Sequence, residues 1–500
     1  MVKVLRNFIG GEWAESKSGE YRDIINPATG EILAKAPNST PEEIDEAVRA
    51  AAKAFKSWRD TPVPDRVQPL FEFASYLKKN QVDIAIQITK EHGKTLEESK
   101  GEVLRSWQYV EHACGAPDLM KGEMTIDVAR GIAEYTVREP LGVFVFMGPY
   151  NFPLLTSIYW VWAVACGNTV VVKAPSETPC TINKVFEECV SKVFPKGVVN
   201  LVNCSGSRFT RVFDFEEVKG LTFVGSSAVG KYLYELAAKK GKRVQCLTGA
   251  KNCAVVMPDA DYTSEAVMGN LLRAIFGNTG QRCFAVSRVL VMEEIYEDFK
   301  RHFVEEASKL KVGYGLEEGV EVGPVTTRDH LERLLKAIEK GIEDGAKLLL
   351  DGRNVKVEKY PNGNWLGPTI FEVEPSKRNI YIFEEELFGP IACLTKVKSL
   401  DEAIEIVNSG KYGHSAVIYT ENGYWADYFV RNVDVGQVGI NVGTPAPIGF
   451  YPLGGRRESF YGSTRARGRQ AIEFYTDPKV VIRRWFGRRR VTEWTWMERI

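Results

Sequence analysis

A cysteine lies in a glycine-containing stretch past the middle of the chain, Gly277-Asn-Thr-Gly280-Gln281-Arg282-Cys283-Phe284-Ala285. The guanidinium of Arg282 supplies a fixed positive charge beside Cys283, and a neighbouring cation favours the nucleophilic thiolate. Taken alone, the stretch is equally typical of a buried cysteine in a turn beside a helix. The residue types therefore predict a candidate nucleophile, and the other motifs of the chain must decide between the two interpretations.

Two further stretches follow apolar runs that are typical of buried parallel strands. Gly148-Pro149-Tyr150-Asn151 comes after residues 141–147, and the side-chain amide of Asn151 could donate a hydrogen bond to an oxyanion. Gly225 and Ser226 come after residues 220–224 and open a helix, whose amino terminus could bind a pyrophosphate. Open α/β sheets bind ligands at the carboxyl ends of their strands, so these segments predict a binding site at one sheet edge.

Two other segments carry side chains suited to a nucleotide. Lys173, Ser176 and Glu177 follow the predicted strand at residues 169–172 and could offer a cation and hydroxyls to an adenosine ribose. Glu386 and Phe388 place a carboxylate and an aromatic ring beside a tight turn.

The elements that must position these residues are strands alternating with helices. Residues 41–100 have helical periodicity, and the alternation that follows predicts a doubly wound parallel sheet. After Asp259 the cycle begins again, which indicates a second α/β unit. Residues 132–138 and 472–475 alternate like half-exposed antiparallel strands, and such strands could pair between subunits.

Composition excludes several classes of protein. A chain of 500 residues is expected to form two or more packed units. Its 65 basic residues equal its 65 acidic ones, which argues against a nucleic-acid partner despite a basic aromatic tail at residues 483–490. That tail is more typical of a subunit interface. The chain contains neither a membrane-spanning apolar run nor a signal-peptide pattern, so a cytoplasmic protein is expected. Nine scattered cysteines and five histidines without ligand spacing predict reduced thiols and no metal site.

Taken together and in this order, the five motifs resemble those of the aldehyde dehydrogenase superfamily over nearly the whole chain. The resemblance implies an α/β fold with a Rossmann-like cofactor domain, an α/β catalytic domain and a small β-arm for oligomerisation. Its implied cofactor domain is residues 1–122 and 142–250 with part of 445–465. The implied catalytic domain is 251–444, and the arm is 123–141 and 466–500. A homodimer or homotetramer is expected.

The resemblance also implies a role for each motif. Cys283 attacks the aldehyde carbon, Asn151 and the Cys283 backbone amide steady the oxyanion, and hydride passes to a nicotinamide to leave a thioester. The cofactor, NAD or NADP, is expected to contact residues from all the other motifs: Gly148, Tyr150, Lys173, Ser176, Glu177, Gly225, Ser226, Thr248, Glu386 and Phe388.

One position departs from the pattern of most members. The glutamate that activates water for thioester hydrolysis is replaced by Leu247 in Leu247-Thr-Gly-Ala250-Lys-Asn252. Loss of a general base slows a proton-transfer step by about two to four orders of magnitude, so a thiol such as coenzyme A becomes the better acyl acceptor. This absence marks the acylating methylmalonate-semialdehyde dehydrogenase branch, which residues 110–117, 244–252 and 444–447 also resemble.

That branch implies a semialdehyde substrate with a carboxylate. Its two carboxylate-binding arginines correspond to Arg105 and Arg282, and a planar guanidinium suits such a group. The implied substrates are malonate and methylmalonate semialdehyde, and the implied products are carbon dioxide with acetyl-CoA or propionyl-CoA. Ser176 stands where the family commonly has a ribose-binding glutamate, with Glu177 one place later. We therefore hypothesise that NADP is accepted.

Three alternatives remain at this point. A non-acylating aldehyde dehydrogenase would release a carboxylic acid, with some other group activating water. A cysteine hydrolase would need a histidine partner for Cys283, and none of the five histidines lies in a recognisable signature. A catalytically inactive relative is disfavoured by the presence of Cys283 and Asn151.

Overall fold

Two large β-sheets form the frame of the protein. The structure, a computed structural model, describes residues 2–486. One sheet has eight strands and the other has seven, and each carries helices on its faces. The α/β class that was predicted from the strand and helix pattern is confirmed.

The eight-stranded sheet has five central parallel strands with antiparallel strands at both edges. In spatial order its strands are Phe460–Gly462, Arg243–Leu247, Val218–Val224, Val143–Met147, Thr169–Lys173, Val199–Val202, Asn7–Ile9 and Glu12–Ala14. The strand order reverses between Val143–Met147 and Val218–Val224, which is the topological switch point where such sheets bind ligands.

The central strands are apolar on both sides because helices cover both faces of the sheet. In Val143–Met147 all five residues are buried. Phe144 and Phe146 pack into the core on one face, whereas Val143, Val145 and Met147 pack into the core on the other. This alternation follows from the two-residue repeat of a strand.

The seven-stranded sheet is parallel except for one edge strand. Its strands, in spatial order, are Lys347–Leu350, Thr369–Glu372, Ile391–Val397, Val286–Met292, Asn252–Val256, Ser415–Tyr419 and Gln437–Ile440. The second α/β unit predicted after Asp259 therefore exists, and its first strand begins slightly earlier, at Asn252.

Helices connect the strands of both sheets. The longer α-helices are Pro41–Trp58, Gln68–Lys79, Gln81–His92, Leu96–Ala113, Ser227–Lys239, Tyr296–Ser308, Arg328–Glu343, Leu400–Ser409, Gly423–Asn432 and Gly468–Tyr475. Shorter α-helices are Val63–Arg66, Ala116–Leu119, Val161–Ala165, Cys180–Val185, Ser191–Val193, Gly206–Phe209, Asn270–Phe276 and Tyr381–Glu384. The first long helix starts where its sequence predicts, because Thr40 and Glu43 form a capping box and Pro41 occupies the first turn.

A three-stranded antiparallel sheet, which we call the arm sheet, stands apart from the two large ones. Its strands are Thr476–Arg484, Ile132–Pro140 and Met124–Ala129. The predicted strand at residues 132–138 is thus confirmed. A further small sheet contains Lys3–Val4, Ile32–Pro37 and Tyr21–Ile25.

The predicted strand at residues 472–475 is wrong. These residues form the end of the helix Gly468–Tyr475, and the strand begins at the next residue. The buried residues Gly468, Ala471, Ile472 and Tyr475 have helical spacing on one face. A window of four residues is too short to distinguish that spacing from the alternation of a strand.

Part of the predicted arm and of the basic tail, residues 487–500, lies outside the described residues. Among residues 2–486 no helix is both long enough and apolar enough to cross a membrane. The domain boundaries expected from the resemblance remain a proposal.

Candidate active site

A cavity of about 600 Å³ lies where the two large sheets face each other. One side is formed by segments that follow strands of the eight-stranded sheet, and the other by segments that precede strands of the seven-stranded sheet. Residues of four predicted motifs meet in its wall: Tyr150, Asn151, Gly225, Ser226, Thr248, Cys283, Glu386 and Phe388. Segments far apart in the sequence are thus brought to one site.

The loop that carries Cys283 has an unusual backbone. Asn278, Thr279 and Gly280 have φ angles of 54°, 55° and 66°, in the left-handed region. A side chain at Gly280 would collide with the carbonyl of Gly389, so only glycine lets the loop approach the Glu386 segment this closely. The loop and the turn at Gly389 are therefore built against each other.

Asn252, at the start of a strand in the seven-stranded sheet, holds the other side of this loop. Its Nδ2 donates to the backbone carbonyls of Cys283 at 2.8 Å and Ala285 at 2.9 Å, and its Oδ1 accepts from the Ser415 N–H at 3.0 Å. Because all three bonds reach backbone atoms, they fix the position of the cysteine without touching its sulfur.

Cys283 is the exception among the cysteines, since it is partly exposed whereas the other eight are buried. Burial nevertheless raises the pKa of its thiol to about 12, and the charge of Glu386 adds to that rise. The charges of Arg467 and Arg282 act in the opposite direction. The charge of Arg282 thus favours the thiolate, as expected, but desolvation of the sulfur has the larger effect.

Asn151 lies beside Cys283 in the cavity, where its amide could face an oxyanion. Its Nδ2 donates to the carbonyl of Gln281 at 3.0 Å, which leaves the second hydrogen of the amide for a substrate. Two amide donors, the side chain of Asn151 and the backbone of Cys283, can thus serve one oxygen atom.

A buried ion pair holds the backbone of this loop. Lys94 Nζ donates to the carbonyl of Asn151 at 2.7 Å and to Glu102 at 2.9 Å. Glu102 in turn accepts the N–H groups of Leu154 at 2.8 Å and Leu155 at 3.1 Å. At the start of the loop, a Cβ added to Gly148 would lie 3.1 Å from the hydroxyl of Thr156, so a small residue is required there.

The opposite end of the cavity is suited to a dinucleotide. Ser226 is the N-cap of the helix Ser227–Lys239, and its hydroxyl makes no capping bond. The exposed amide groups of that first turn can bind a phosphate. Any side chain larger than glycine at position 230 would collide with Thr248, whose hydroxyl donates to the Glu458 carbonyl at 2.6 Å. These residues fit a pyrophosphate between the helix and the Thr248 segment.

Glu386 lines the same cavity. Its carboxylate accepts the backbone N–H of Ala250 at 2.9 Å. Burial raises the pKa of this carboxyl to about 7, although the Ala250 bond and the charge of Lys251 lower it. Near neutral pH the group is therefore divided between its acid and its ionised form.

Of the three predicted adenosine-binding residues, two lie together and the third points elsewhere. Lys173 Nζ donates to Ser176 at 3.3 Å, and Ser176 lines a smaller cavity of about 220 Å³. Glu177 faces a different groove and forms an ion pair with Arg22 at 3.0 Å. Ser176, rather than Glu177, therefore stands with Lys173.

Neither predicted carboxylate-binding arginine lines the cavity of Cys283. Arg105 is exposed on the helix Leu96–Ala113, and its recorded contact is with Gln108 at 3.5 Å. Arg282 points away from the cavity and donates to the carbonyl of Arg273. The structure thus keeps these two guanidinium groups apart from the Cys283 cavity.

The cavity residues that were not predicted from the sequence include Arg467 and His414. Arg467 lies just before the helix Gly468–Tyr475, and His414 just before the strand Ser415–Tyr419. Neither residue lies in one of the five motifs. The only sequence signal for these two residues is that each lies just before the start of a helix or a strand.

His414 is relevant to the hydrolase alternative because it shares the cavity with Cys283. Within residues 2–486 neither of its ring nitrogens has a hydrogen-bond partner, and its ring centroid lies 4.3 Å from that of Phe284. Burial lowers the pKa of His414 to about 4, so the ring is neutral near neutral pH. The hydrogen-bonded Cys–His pair of a cysteine hydrolase is not formed in this part of the chain.

Comparison with known proteins gives a consistent result. Residues 13–481 match the sequence profile of the Aldehyde dehydrogenase family. The chain is 42% identical over 486 residues to malonate-semialdehyde dehydrogenase 2 of Geobacillus kaustophilus, covering 97% of this chain and 99% of that protein.

Solved structures agree in fold over the same length. The methylmalonate-semialdehyde dehydrogenase of Oceanimonas doudoroffii superposes with a TM-score of 0.93 at 34% identity, covering 97% of this chain and 99% of the other. A structure from Sinorhizobium meliloti 1021 in complex with NAD gives 0.94 at 32% identity, with the same coverage. The chain therefore belongs to the aldehyde dehydrogenase family and is an oxidoreductase that acts on an aldehyde group.

Proposed function

We propose that the protein oxidises malonate or methylmalonate semialdehyde with NAD or NADP and transfers the acyl group to coenzyme A. Carbon dioxide leaves in the process, and the products are acetyl-CoA or propionyl-CoA. The observation that carries this proposal is Leu247, which lines the same cavity as Cys283 at the position of the usual water-activating glutamate. The relatives named malonate-semialdehyde dehydrogenase support the choice of substrate.

The first half of the reaction forms a thioester. The sulfur of Cys283 attacks the aldehyde carbon as the thiolate, after the thiol proton has passed to solvent. The amides of Asn151 and Cys283 stabilise the resulting oxyanion. A nicotinamide held in the cavity would supply the hydride acceptor, and Cys283 would retain the acyl group as a thioester.

The second half transfers that acyl group. Leu247 is apolar and 4% exposed, so it can neither accept a proton from water nor orient it. Without a general base the hydrolysis of a thioester is slow, whereas a thiol near neutral pH already contains an appreciable thiolate fraction. Coenzyme A therefore becomes the preferred acceptor. Loss of the substrate carboxylate as carbon dioxide leaves an enolate that takes up one proton.

The cofactor site is proposed from the same cavity. The related Sinorhizobium structure contains NAD, which supports a nicotinamide cofactor here. Ser226 and the amides of its helix would bind the pyrophosphate, Glu386 the nicotinamide ribose, and Phe388 would pack near the ring. Ser176 next to Lys173 presents no carboxylate to a 2′-phosphate, since Glu177 is turned towards Arg22. This arrangement supports acceptance of NADP.

A non-acylating dehydrogenase is the second candidate, and one observation favours it. Glu386 lines the cavity with a pKa of about 7, and a carboxyl group with such a pKa can act as a general base near neutral pH. In that case the enzyme would release a carboxylic acid without coenzyme A.

The deciding experiment compares product formation with and without coenzyme A. Malonate semialdehyde is supplied with NAD or NADP, and the acyl product is identified by mass spectrometry. We expect multiple turnovers and acetyl-CoA only when coenzyme A is present. Equal rates without it, with a free acid as product, would contradict the acylating reaction. A Cys283→Ala variant is the control, and residual NAD(P)H formation by it would refute the thioester mechanism.

A further inference from the structure

Arg467 has an unusual position for an arginine, since it lies in the wall of the catalytic cavity and is 8% exposed. Its guanidinium is held in place on two sides. Nη2 donates to the hydroxyl of Tyr159 at 2.6 Å, and Nη1 donates to the carbonyl of Pro447 at 2.9 Å. The rings of Tyr109 and Tyr159 each lie 5.3 Å from its central carbon. The group is therefore rigidly oriented before any ligand arrives.

The charge of Arg467 has no counter-ion in the protein. Among residues 2–486 its hydrogen bonds go to a carbonyl and a hydroxyl rather than to a carboxylate, and its buried Nε has no hydrogen-bond partner. A guanidinium has five N–H donors, and the two recorded bonds leave the others unused. Lys94, the buried cation of the neighbouring loop, is by contrast paired with Glu102. A buried cation without a partner is unfavourable unless a ligand supplies the negative charge.

Arg467 lies near the nucleophile. Arg467 and Cys283 line the same cavity, and the positive charge of Arg467 lowers the pKa of the Cys283 thiol against the effect of burial. The arginine is thus close enough for its charge to act at the sulfur. In malonate semialdehyde the carboxylate is separated from the aldehyde carbon by a single methylene group. A substrate attacked by Cys283 therefore carries its negative charge into the vicinity of Arg467.

We propose that Arg467 binds the carboxylate of the substrate and so contributes to the specificity for carboxylated semialdehydes. Tyr159 assists, because its hydroxyl oxygen accepts from Arg467 and its own hydrogen remains available to donate to the same carboxylate. This inference rests on the proposed function, which supplies the class of substrate. It assigns the recognition of the charge to a residue outside the five motifs.

The test compares a charged and an uncharged aldehyde of equal chain length. Arg467→Met is assayed with malonate semialdehyde and with propionaldehyde. We expect kcat/KM for malonate semialdehyde to fall about 100-fold or more, because a buried charged hydrogen-bond partner is lost. Propionaldehyde makes no ion pair, so its kcat/KM should fall much less, by only the smaller effect of the Arg467 charge on the Cys283 thiol. Arg469→Met, on the exposed side of the same helix, is the matched control and should change neither value.

Two further variants keep the test decisive if Arg467→Met fails to fold. Arg467→Lys retains the charge but loses the planar donors, and Tyr159→Phe removes the second donor. Each should raise KM for malonate semialdehyde by about tenfold while sparing propionaldehyde. The substitutions at position 467 exchange one non-glycine residue for another, so the strain of its positive φ of 79° is unchanged.

The results that would overturn the role of Arg467 differ from those that would overturn the proposed function. Equal losses for both aldehydes would show that Arg467 only supports the fold and would overturn the inference. A selective loss in Arg282→Met or Arg105→Met, with none in Arg467→Met, would overturn it in favour of those residues. If wild-type protein does not prefer malonate semialdehyde over propionaldehyde, the proposed function itself is wrong.

Discussion

Cys283, Glu386 and His414 are among the titratable residues of the catalytic cavity, and burial changes the pKa of each in the direction expected for loss of water. The pKa of Cys283 rises to about 12 and that of Glu386 to about 7, whereas the pKa of His414 falls to about 4. Near neutral pH the thiol and the imidazole are uncharged and Glu386 titrates. Burial therefore disfavours ionisation of the Cys283 thiol, and the charge of Glu386 adds to that effect.

Substitution of Glu386 should make Cys283 more reactive. Ionised Glu386 raises the pKa of the thiol, so Glu386→Gln removes a negative charge and lowers that pKa. We expect alkylation by iodoacetamide to be about three- to tenfold faster at about pH 8, since one pKa unit corresponds to a tenfold change in thiolate. The difference should shrink below about pH 7, where wild-type Glu386 is protonated.

Iodoacetamide labelling of Cys283 is followed by mass spectrometry across the pH range. Glu385→Gln is a suitable control because Glu385 also lines the cavity but forms an ion pair with Lys411. An unchanged alkylation rate in Glu386→Gln would contradict the coupling between the two groups.

Position 247 should decide between water and thiol as acyl acceptor. Leu247→Glu introduces a carboxylate into the cavity that contains the Cys283 thioester. Because a positioned general base accelerates proton transfer by about 100-fold or more, release of free acid without coenzyme A should rise by a comparable factor. Leu247→Gln has the same size without the base and should remain slow. The measurement is steady-state NAD(P)H formation in the absence of coenzyme A.

The sequence was informative for some residues of the site and uninformative for others. Cys283, Asn151 and Glu386 lie in motifs next to predicted strands, so both their chemistry and their meeting place could be predicted. Arg467 could not, because its importance depends on a missing counter-ion. Whether a charge is paired depends on three-dimensional neighbours, which no local pattern in the sequence reveals.

At the level of elements, the helix Leu96–Ala113 and the segment before it position the oxyanion donor. The ion pair of Lys94 and Glu102 has no solvent exposure at either side chain, and it binds three backbone groups of the Asn151 loop. This loop leaves the sheet at the switch point, where the neighbouring strands and helix N-termini do not by themselves hold its backbone in place. The pair therefore connects the helical layer to the catalytic amide.

Removal of Lys94 should damage both stability and activity. Lys94→Met leaves Glu102 as a buried charge without its partner, which costs about 3–5 kcal/mol of unfolding free energy. The loop should also relax, so kcat should fall even in the folded fraction. The matched control is Lys100→Met, which removes an exposed pair with Glu97 worth at most about 1 kcal/mol. Urea unfolding followed by tryptophan fluorescence gives the unfolding free energy of each variant. Equal losses in Lys94→Met and Lys100→Met would contradict the role of the buried pair.

Elements could be predicted well where one physical signal dominated. The fully buried strand Val143–Met147 is apolar throughout, and the helix Pro41–Trp58 begins at a capping box. The helix Gly468–Tyr475 was mistaken for a strand because its last four residues alternate by coincidence. Only the longer spacing from Gly468 to Tyr475, together with burial of that face, identifies it as a helix.

At the level of the whole molecule, the carboxyl ends of the strands in one large sheet face the amino ends of the strands in the other. Segments that follow parallel strands of the eight-stranded sheet meet segments that precede strands of the seven-stranded sheet. The nucleophile Cys283 thus comes from the side of the seven-stranded sheet, whereas the oxyanion donor Asn151 comes from the side of the eight-stranded sheet. This arrangement requires both sheets to be complete before a site exists, and it explains why the site residues are distributed from Asn151 to Arg467.

The arm sheet projects apolar side chains that neither large sheet covers. Val480 and Ile482 are 62% and 67% exposed, and they lie on the same face of the strand Thr476–Arg484 because they are two residues apart. Exposed apolar residues grouped on one sheet face are typical of an interaction surface. This supports the expectation of a homo-oligomer, with the arm sheet as part of its interface.

A pair of charges on that face should therefore disrupt assembly. The Val480→Asp, Ile482→Asp double variant places two carboxylates where apolar contact is expected, and burial of unpaired charges is strongly unfavourable. We expect the mass measured by size-exclusion chromatography with light scattering to fall from an oligomer to a smaller species. Val430→Asp, at an exposed valine on the helix Gly423–Asn432, should leave the mass unchanged. Because Val480 pairs with Thr136 and Ile482 with Glu134 at the arm surface, the substitutions leave the two large sheets intact. A wild-type monomer, or a double variant with the wild-type mass, would show that the arm sheet does not hold subunits together.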